Sequence, residues 1–90
     1  MITVLQACEI TSKEDGWQLF SQIVDLGGEF LLIPCDENGD ALDIGSIPTV
    51  DKLTGKVGAF FYPKRHTELE SGRDVEVPKQ YRPRKNRNKQ

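Results

Sequence analysis

The sequence predicts an α+β fold: one N-terminal amphipathic helix packed on a small, mostly antiparallel sheet, followed by a flexible basic C-terminal tail. Three observations predict this class: a capped apolar stripe at helical spacing, an Asn-Gly turn between apolar runs, and several short runs rich in β-branched residues. At 90 residues the chain has room for one small domain, not for separate substrate and cofactor domains. Without the helix, the same runs would suit a small SH3-like or OB-like β-barrel.

The first two predicted elements are a strand and the helix. Residues 2–10 are rich in apolar and β-branched side chains and predict a strand. Ser12 can cap a helix, with an acidic residue three positions on as a variant of the capping box. Apolar side chains then recur at helical spacing up to Leu26, and Gly27-Gly28 supplies a left-handed stop. The helix is therefore predicted over residues 12–26.

A hairpin is predicted next, because Asn38-Gly39 is the preferred type I′ two-residue turn. In this register Cys35 faces Leu42. A second turn at Thr54-Gly55 leads into a strand over residues 57–62, and a short last strand is predicted at Val75 and Val77.

The first strand of this hairpin is apolar on both faces. The face with Leu31 and Ile33 is predicted to pack on the helix, which leaves Phe30 and Leu32 exposed for another layer or a partner. Pro34 cannot donate a hydrogen bond to a neighbouring strand, so its strand is predicted to lie at an edge of the sheet or to be bulged there.

The charge is divided sharply along the chain. All 14 acidic residues but only six of the 12 basic ones fall in residues 1–78, a charge of −8 within a net charge of −2. The other six basic residues fall in residues 79–90, which hold no acidic residue, one aromatic residue and no aliphatic one. Such a segment cannot bury enough apolar surface to offset the entropy of ordering its backbone. An acidic domain, 1–78, and a disordered basic tail, 79–90, are therefore predicted.

Patterns that would indicate a metal site or an enzyme are incomplete. The run from Asp36 to Asp43 resembles a calcium loop, but its sixth and twelfth positions hold Ala41 and Ile47 instead of Gly and Glu. The two cysteines and the single histidine lack the spacing of zinc ligands. No nucleophile motif or phosphate-binding glycine loop is present, so the prediction is a non-enzymatic protein with no cofactor, metal or small-molecule substrate.

The sequence also bears on location. No run approaches the roughly 20 apolar residues that a membrane span needs, and the first residues lack the basic start of a signal peptide. Two cysteines are too few for a disulfide-stabilised secreted miniprotein. A cytoplasmic protein is the resulting expectation.

The first functional hypothesis is non-specific binding of RNA or DNA through basic side chains that contact phosphates. Aromatic residues also lie next to basic ones in residues 56–66, where at most Phe60 and Tyr62 (or Phe61) are free to stack on nucleobases; core packing is the favoured interpretation, because aromatic residues are strong strand formers. The expected nucleic-acid contacts are Lys79, Tyr81, Arg82, Arg84, Lys85, Arg87 and Lys89, with Lys64 and Arg65.

The second hypothesis is a protein-interaction module, an accessory or inhibitory subunit. An acidic hairpin tip would engage a basic surface of the partner, and the exposed apolar strand face would meet a hydrophobic site. The expected contacts are Phe30, Leu32, Asp36, Glu37, Asp40 and Asp43.

Overall fold

A computed structural model of the chain describes residues 1–60 and 70–84 and has one helix on a five-stranded antiparallel sheet. Its strands are in the order β4-β3-β2-β1-β5, and the sheet is open, so the predicted α+β class is confirmed and the barrel alternative is wrong. The elements are α1 (Val4–Asp15), β1 (Phe20–Asp25), β2 (Glu29–Pro34), β3 (Ile47–Asp51), β4 (Val57–Phe60) and β5 (Arg73–Val75).

The helix begins at Val4, so the predicted strand over residues 2–10 and the predicted helix over 12–26 are both wrong. Thr3 and Gln6 form a capping box: the Gln6 N–H donates to Thr3 Oγ1 over 3.1 Å, and the Thr3 N–H donates to Gln6 Oε1 over 2.8 Å. The helix ends at Asp15 and is capped by Gly16, which takes φ +82° and donates its N–H to the Ser12 carbonyl. These two caps fix a 12-residue helix.

The residues predicted to complete the helix form β1 instead. Gly27-Gly28 is the turn between β1 and β2: the Leu26 N–H donates to the Glu29 carbonyl, and Asp25 Oδ1 accepts from the Gly27 N–H. Gly27 has φ +103°, as the first central residue of a type II′ turn requires. The apolar residues of β1 do not alternate because this sheet buries side chains on both of its faces.

Pro34 is accommodated by a bulge. Strand β2 is the centre of the sheet, so the prediction of an edge strand is wrong. On β1, Phe20 pairs with Pro34 and Gln22 with Ile33, which leaves Ser21 as the extra residue. The alternative was a bulge in the strand of Pro34; the irregularity does fall at Pro34, but the extra residue lies on the neighbouring strand β1.

The turn at Asn38-Gly39 exists, but not in the predicted register. Cys35 pairs with Ala41 instead of Leu42. Gly39 has φ +87°, whereas no non-glycine residue among those described has positive φ, so the type I′ turn is not formed. The chain closes a wider turn, in which the Asp36 N–H donates to the Asp40 carbonyl.

Each face of the sheet carries its own apolar cluster. Phe30 is 6% exposed and Leu32 is fully buried, both on the face that α1 covers, so the expectation that they are exposed is wrong. Leu31 lies in the opposite cluster and not under the helix, which reverses the predicted faces. The helix-side cluster consists of Ala7, Cys8, Phe20, Ile23, Phe30, Leu32 and Val50; the opposite cluster is centred on Val24, Leu31 and Phe60.

The last two strands lie at the edges of the sheet. The predicted turn before β4 is confirmed: Gly55 has φ +74° and donates its N–H to the Asp51 carbonyl. The predicted end of that strand, residues 61–62, lies outside the described residues. β5 pairs with β1 and contains Val75 but not Val77, which packs on the helix-side core just after it.

Candidate functional site

The basic C-terminal segment begins as part of the folded domain. Residues Lys79–Tyr81 form a turn of 3-10 helix, and the Tyr81 ring lies 5.8 Å from the Phe20 ring, centroid to centroid. Pro83 is fully buried. The expectation of a disordered tail from residue 79 therefore does not hold for residues 79–84, because Tyr81 and Pro83 supply apolar surface that composition alone undervalues.

The Tyr81 side chain therefore anchors the segment on the core. Burial, followed by the charge of Glu9, raises the pKa of the Tyr81 hydroxyl. The Tyr81 ring packs beside the helix-side cluster, so the one aromatic residue of the segment belongs to the packing of the core.

Three of the predicted cations of the segment are described, and they differ in environment. Arg82 donates from Nε to the Val77 carbonyl over 2.7 Å and pairs with the Glu76 carboxylate, which neutralises its charge locally. Lys79 and Arg84 are exposed. The other predicted contacts, Lys64, Arg65, Lys85, Arg87 and Lys89, lie outside the described residues, as does His66.

The aromatic residue predicted for either stacking or the core belongs to the core. Phe60 is fully buried in the cluster on the side of the sheet opposite the helix. A base cannot stack on a ring that has no accessible face.

The acidic loop between β2 and β3 presents its carboxylates to solvent. Asp36 Oδ1 accepts the N–H groups of Asn38 and Asp40, over 2.9 and 3.0 Å, which fixes the tip. Glu37, Asp40 and Asp43 are exposed, and among the described residues none of the three forms an ion pair. No group of three or more potential metal ligands occurs in residues 1–60 and 70–84.

A largely buried ion pair, which no sequence pattern predicts, joins the ends of β1 and β3. Lys52 Nζ lies 2.6 Å from Asp25 Oδ1 and 4.9 Å from the centre of the Phe30 ring. The hydrogen bond from Lys52, and then the one from the Gly27 N–H, hold the pKa of Asp25 below its usual value. Since 27 positions separate the partners in sequence, no local pattern reveals the pair.

Both cysteines are free thiols within the core. Burial, followed by the charge of Glu9, raises the pKa of Cys8 to about 12. Burial, followed by the charges of Asp36 and Asp40, raises the pKa of Cys35 to about 11. Neither thiol is activated, since a nucleophilic cysteine needs a lowered pKa.

A groove lies beside Trp17, just after the end of α1. It has a volume of about 640 Å³ and lies between the end of α1 and strands β3 and β4. The predicted helix over residues 12–26 would place the Trp17 indole in the core stripe; Trp17 instead follows the end of α1, half-buried and packed against the helix-side cluster. Its lining residues are Asp15, Trp17, Ile44, Gly45, Ser46, Pro48, Val57 and Gly58.

Comparison of the chain with protein-family models, with curated proteins and with solved structures finds no match. Within residues 1–60 and 70–84, no helix combines the length and the apolar character that crossing a bilayer requires. Function must therefore be argued from the surfaces described above.

Proposed function

We propose that this protein is a non-enzymatic nucleic-acid-associated protein that contacts phosphates through its basic C-terminal segment. The observation that carries the proposal is the segregation of charge: residues 79–90 contain six basic residues and no acidic one. Lysine and arginine side chains that neutralise phosphates release counterions, which drives binding without regard to base sequence. The acidic body opposes such binding, so weak and non-specific association is expected.

The anchoring of the segment supports this proposal. Tyr81 and Pro83 are held on the domain, so the basic residues that follow leave from a defined point of its surface. Arg82 is paired with Glu76 and is discounted. Five cations then remain for phosphate contacts: Lys79, Arg84, Lys85, Arg87 and Lys89.

The salt dependence of binding tests the number of phosphate contacts. Five contacts predict a slope of log K against log salt of about −4.5 on duplex DNA, at −0.9 per contact. Changing Lys85, Arg87 and Lys89 to Gln leaves two contacts and a slope of about −1.8. The measurement is fluorescence anisotropy of a labelled 20-base-pair duplex between 50 and 200 mM salt. A labelled single strand, for which about −0.7 per contact applies, is the second probe.

A matched variant separates local charge from net charge. Changing Lys13, Lys56 and Arg73 to Gln alters the net charge by the same amount, and all three residues are exposed on the body. This variant should keep the slope of the unaltered chain. If both triple variants weaken binding equally, or if the C-terminal variant binds as well as the unaltered chain, the proposal is wrong.

A second candidate function, binding of a basic protein surface, is favoured by the acidic loop. The Asp36 side chain fixes the backbone of the loop tip, and complementary charge governs encounter rate and partner choice. Asp40→Lys with Asp43→Lys should then lose a partner that the unaltered chain retains in a pull-down. Charge reversal at the exposed Glu14 is the control, and equal recovery by all three chains would count against the loop.

A further inference from the structure

The groove beside Trp17 exists because the helix covers only part of its face of the sheet. On the β1 and β5 side, Val77 and Tyr81 extend the cover. On the side of β3 and β4 the helix itself packs on the sheet, and the groove opens beyond its last turn, where the buried Pro48 and the half-buried Val57 line it. The groove is therefore a partly apolar surface at the end of α1.

The groove favours a positively charged occupant. Helix α1 ends at Asp15, and the carbonyl end of a helix carries a partial negative charge. The Asp15 carboxylate lines the groove beside the Trp17 indole, whose face attracts cations. None of the described residues that line the groove is basic.

We propose that this groove binds an arginine side chain of a partner protein, in a peptide segment where an apolar residue adjoins the arginine. A guanidinium can stack on an indole and pair with a carboxylate at once, which an ammonium does less well. Ile44 and Val57, which are both half-buried and line the groove, provide the surface for the neighbouring apolar side chain. The volume, about 640 Å³, lies within the usual range of ligand sites.

This site is separate from the proposed nucleic-acid contacts. Its residues lie before position 59, whereas the phosphate contacts lie in the C-terminal segment. Failure of one proposal therefore leaves the other standing.

The full chain reports on the groove through its own fluorescence, since Trp17 is its only tryptophan. The probe is a five-residue peptide of alternating valine and arginine with blocked ends. The control peptide carries citrulline, which has the shape of arginine without its charge. We expect a saturable change in Trp17 fluorescence with the arginine peptide, and a dissociation constant at least threefold higher with citrulline.

Two variants and a map of amide shifts locate the binding. Asp15→Asn should raise the dissociation constant about two- to fivefold, as one exposed charge pair predicts, while Glu14→Gln in the same helical turn should leave it unchanged. Binding should shift the Trp17 indole N–H and the amides of Gly45 and Gly58 in a ¹⁵N–¹H spectrum. Equal binding of the two peptides, equal effects of the two variants, or shifts confined to other residues would each overturn the proposal.

Discussion

Gly72 tests how the face of the sheet opposite the helix is covered. A Cβ built on Gly72 would lie 2.5 Å from Val24 Cγ1, 2.9 Å from Leu26 Cδ2 and 3.3 Å from the Asp25 carbonyl oxygen. Ordinary carbon–carbon contacts are about 3.5–4.0 Å, so the closest approach is about 1 Å too short. Val24 is 2% exposed and stiff at χ1, and the Asp25 carbonyl belongs to a paired strand, so neither yields easily.

Gly72→Ala is therefore expected to destabilise the fold. Overpacking of this kind costs about 1–3 kcal/mol, and the reduced entropy of the unfolded chain returns about 0.4–1 kcal/mol. The expected loss is about 1–2 kcal/mol, or about 4–16 °C in Tm for a domain of this size. Urea unfolding followed by tryptophan fluorescence measures it directly.

Gly28→Ala is the matched control, because nothing lies within 4 Å of the corresponding Cβ and its φ is not positive. That variant should be neutral or slightly more stable. Val24→Ala combined with Gly72→Ala should cost less than the sum of the two single changes, since removing the valine methyl groups relieves the clash. The reasoning is refuted if Gly72→Ala is as stable as Gly28→Ala, or if its cost adds fully to that of Val24→Ala.

Three further predictions concern the Asp25–Lys52 ion pair, the two buried cysteines and Tyr81. Asp25→Asn should cost about 3 kcal/mol in urea unfolding at pH 7, the lower end for a broken buried pair, because Lys52 keeps a little exposure. The folded-state pKa of Asp25 is lowered, so its charged form stabilises the fold fully above the unfolded pKa, near 3.9, and this stabilisation is lost as the pH falls through the folded-state pKa. The free energy of unfolding of the unaltered chain should therefore fall more steeply below pH 4 than that of Asp25→Asn. Equal slopes would contradict this prediction. Cys8 and Cys35 should react with Ellman's reagent at pH 8 only on unfolding, and rapid labelling of the native protein would refute their inert placement. Tyr81→Ala should lower the free energy of unfolding by about 2 kcal/mol, and Tyr81→Phe by less than about 0.5 kcal/mol. If Tyr81→Ala is as stable as Tyr81→Phe, the Tyr81 ring does not anchor the segment.

Part of the fold could be predicted from the sequence, because some signals are local. The turn at Thr54-Gly55 was predicted because the left-handed backbone there depends on glycine itself. The helix was misplaced because apolar spacing after Ser12 outweighed the capping box that Thr3 begins. Strand β1 carries apolar residues for both faces of the sheet, and such a strand cannot be distinguished from a helix by periodicity alone.

The candidate sites also differ in whether local sequence signals could predict them. The basic segment and the acidic loop follow from composition, so their residues could be named in advance. The packing of Tyr81 on Phe20 could not, because it depends on where β1 lies in the finished sheet. The groove beside Trp17 is still less accessible to sequence reasoning, since its residues come from a helix end, a loop and two strands.

The acidic body repels a polyanion, and two lengths decide how strongly this repulsion acts on phosphates bound by the segment. They are the span of the segment and the Debye length set by the salt concentration. Covalent geometry lets residues 85–90 span at most about 20 Å. The Debye length is about 10 Å at 0.1 M salt, so phosphates held near the end of such a segment can lie beyond the screened field of the body. Near 0.01 M salt that length grows to about 30 Å, and the repulsion reaches the bound phosphates. If the segment contacts phosphates as proposed, the counterion-release slope measured at 50–200 mM salt is therefore expected to reflect those contacts, because the field of the body is screened there.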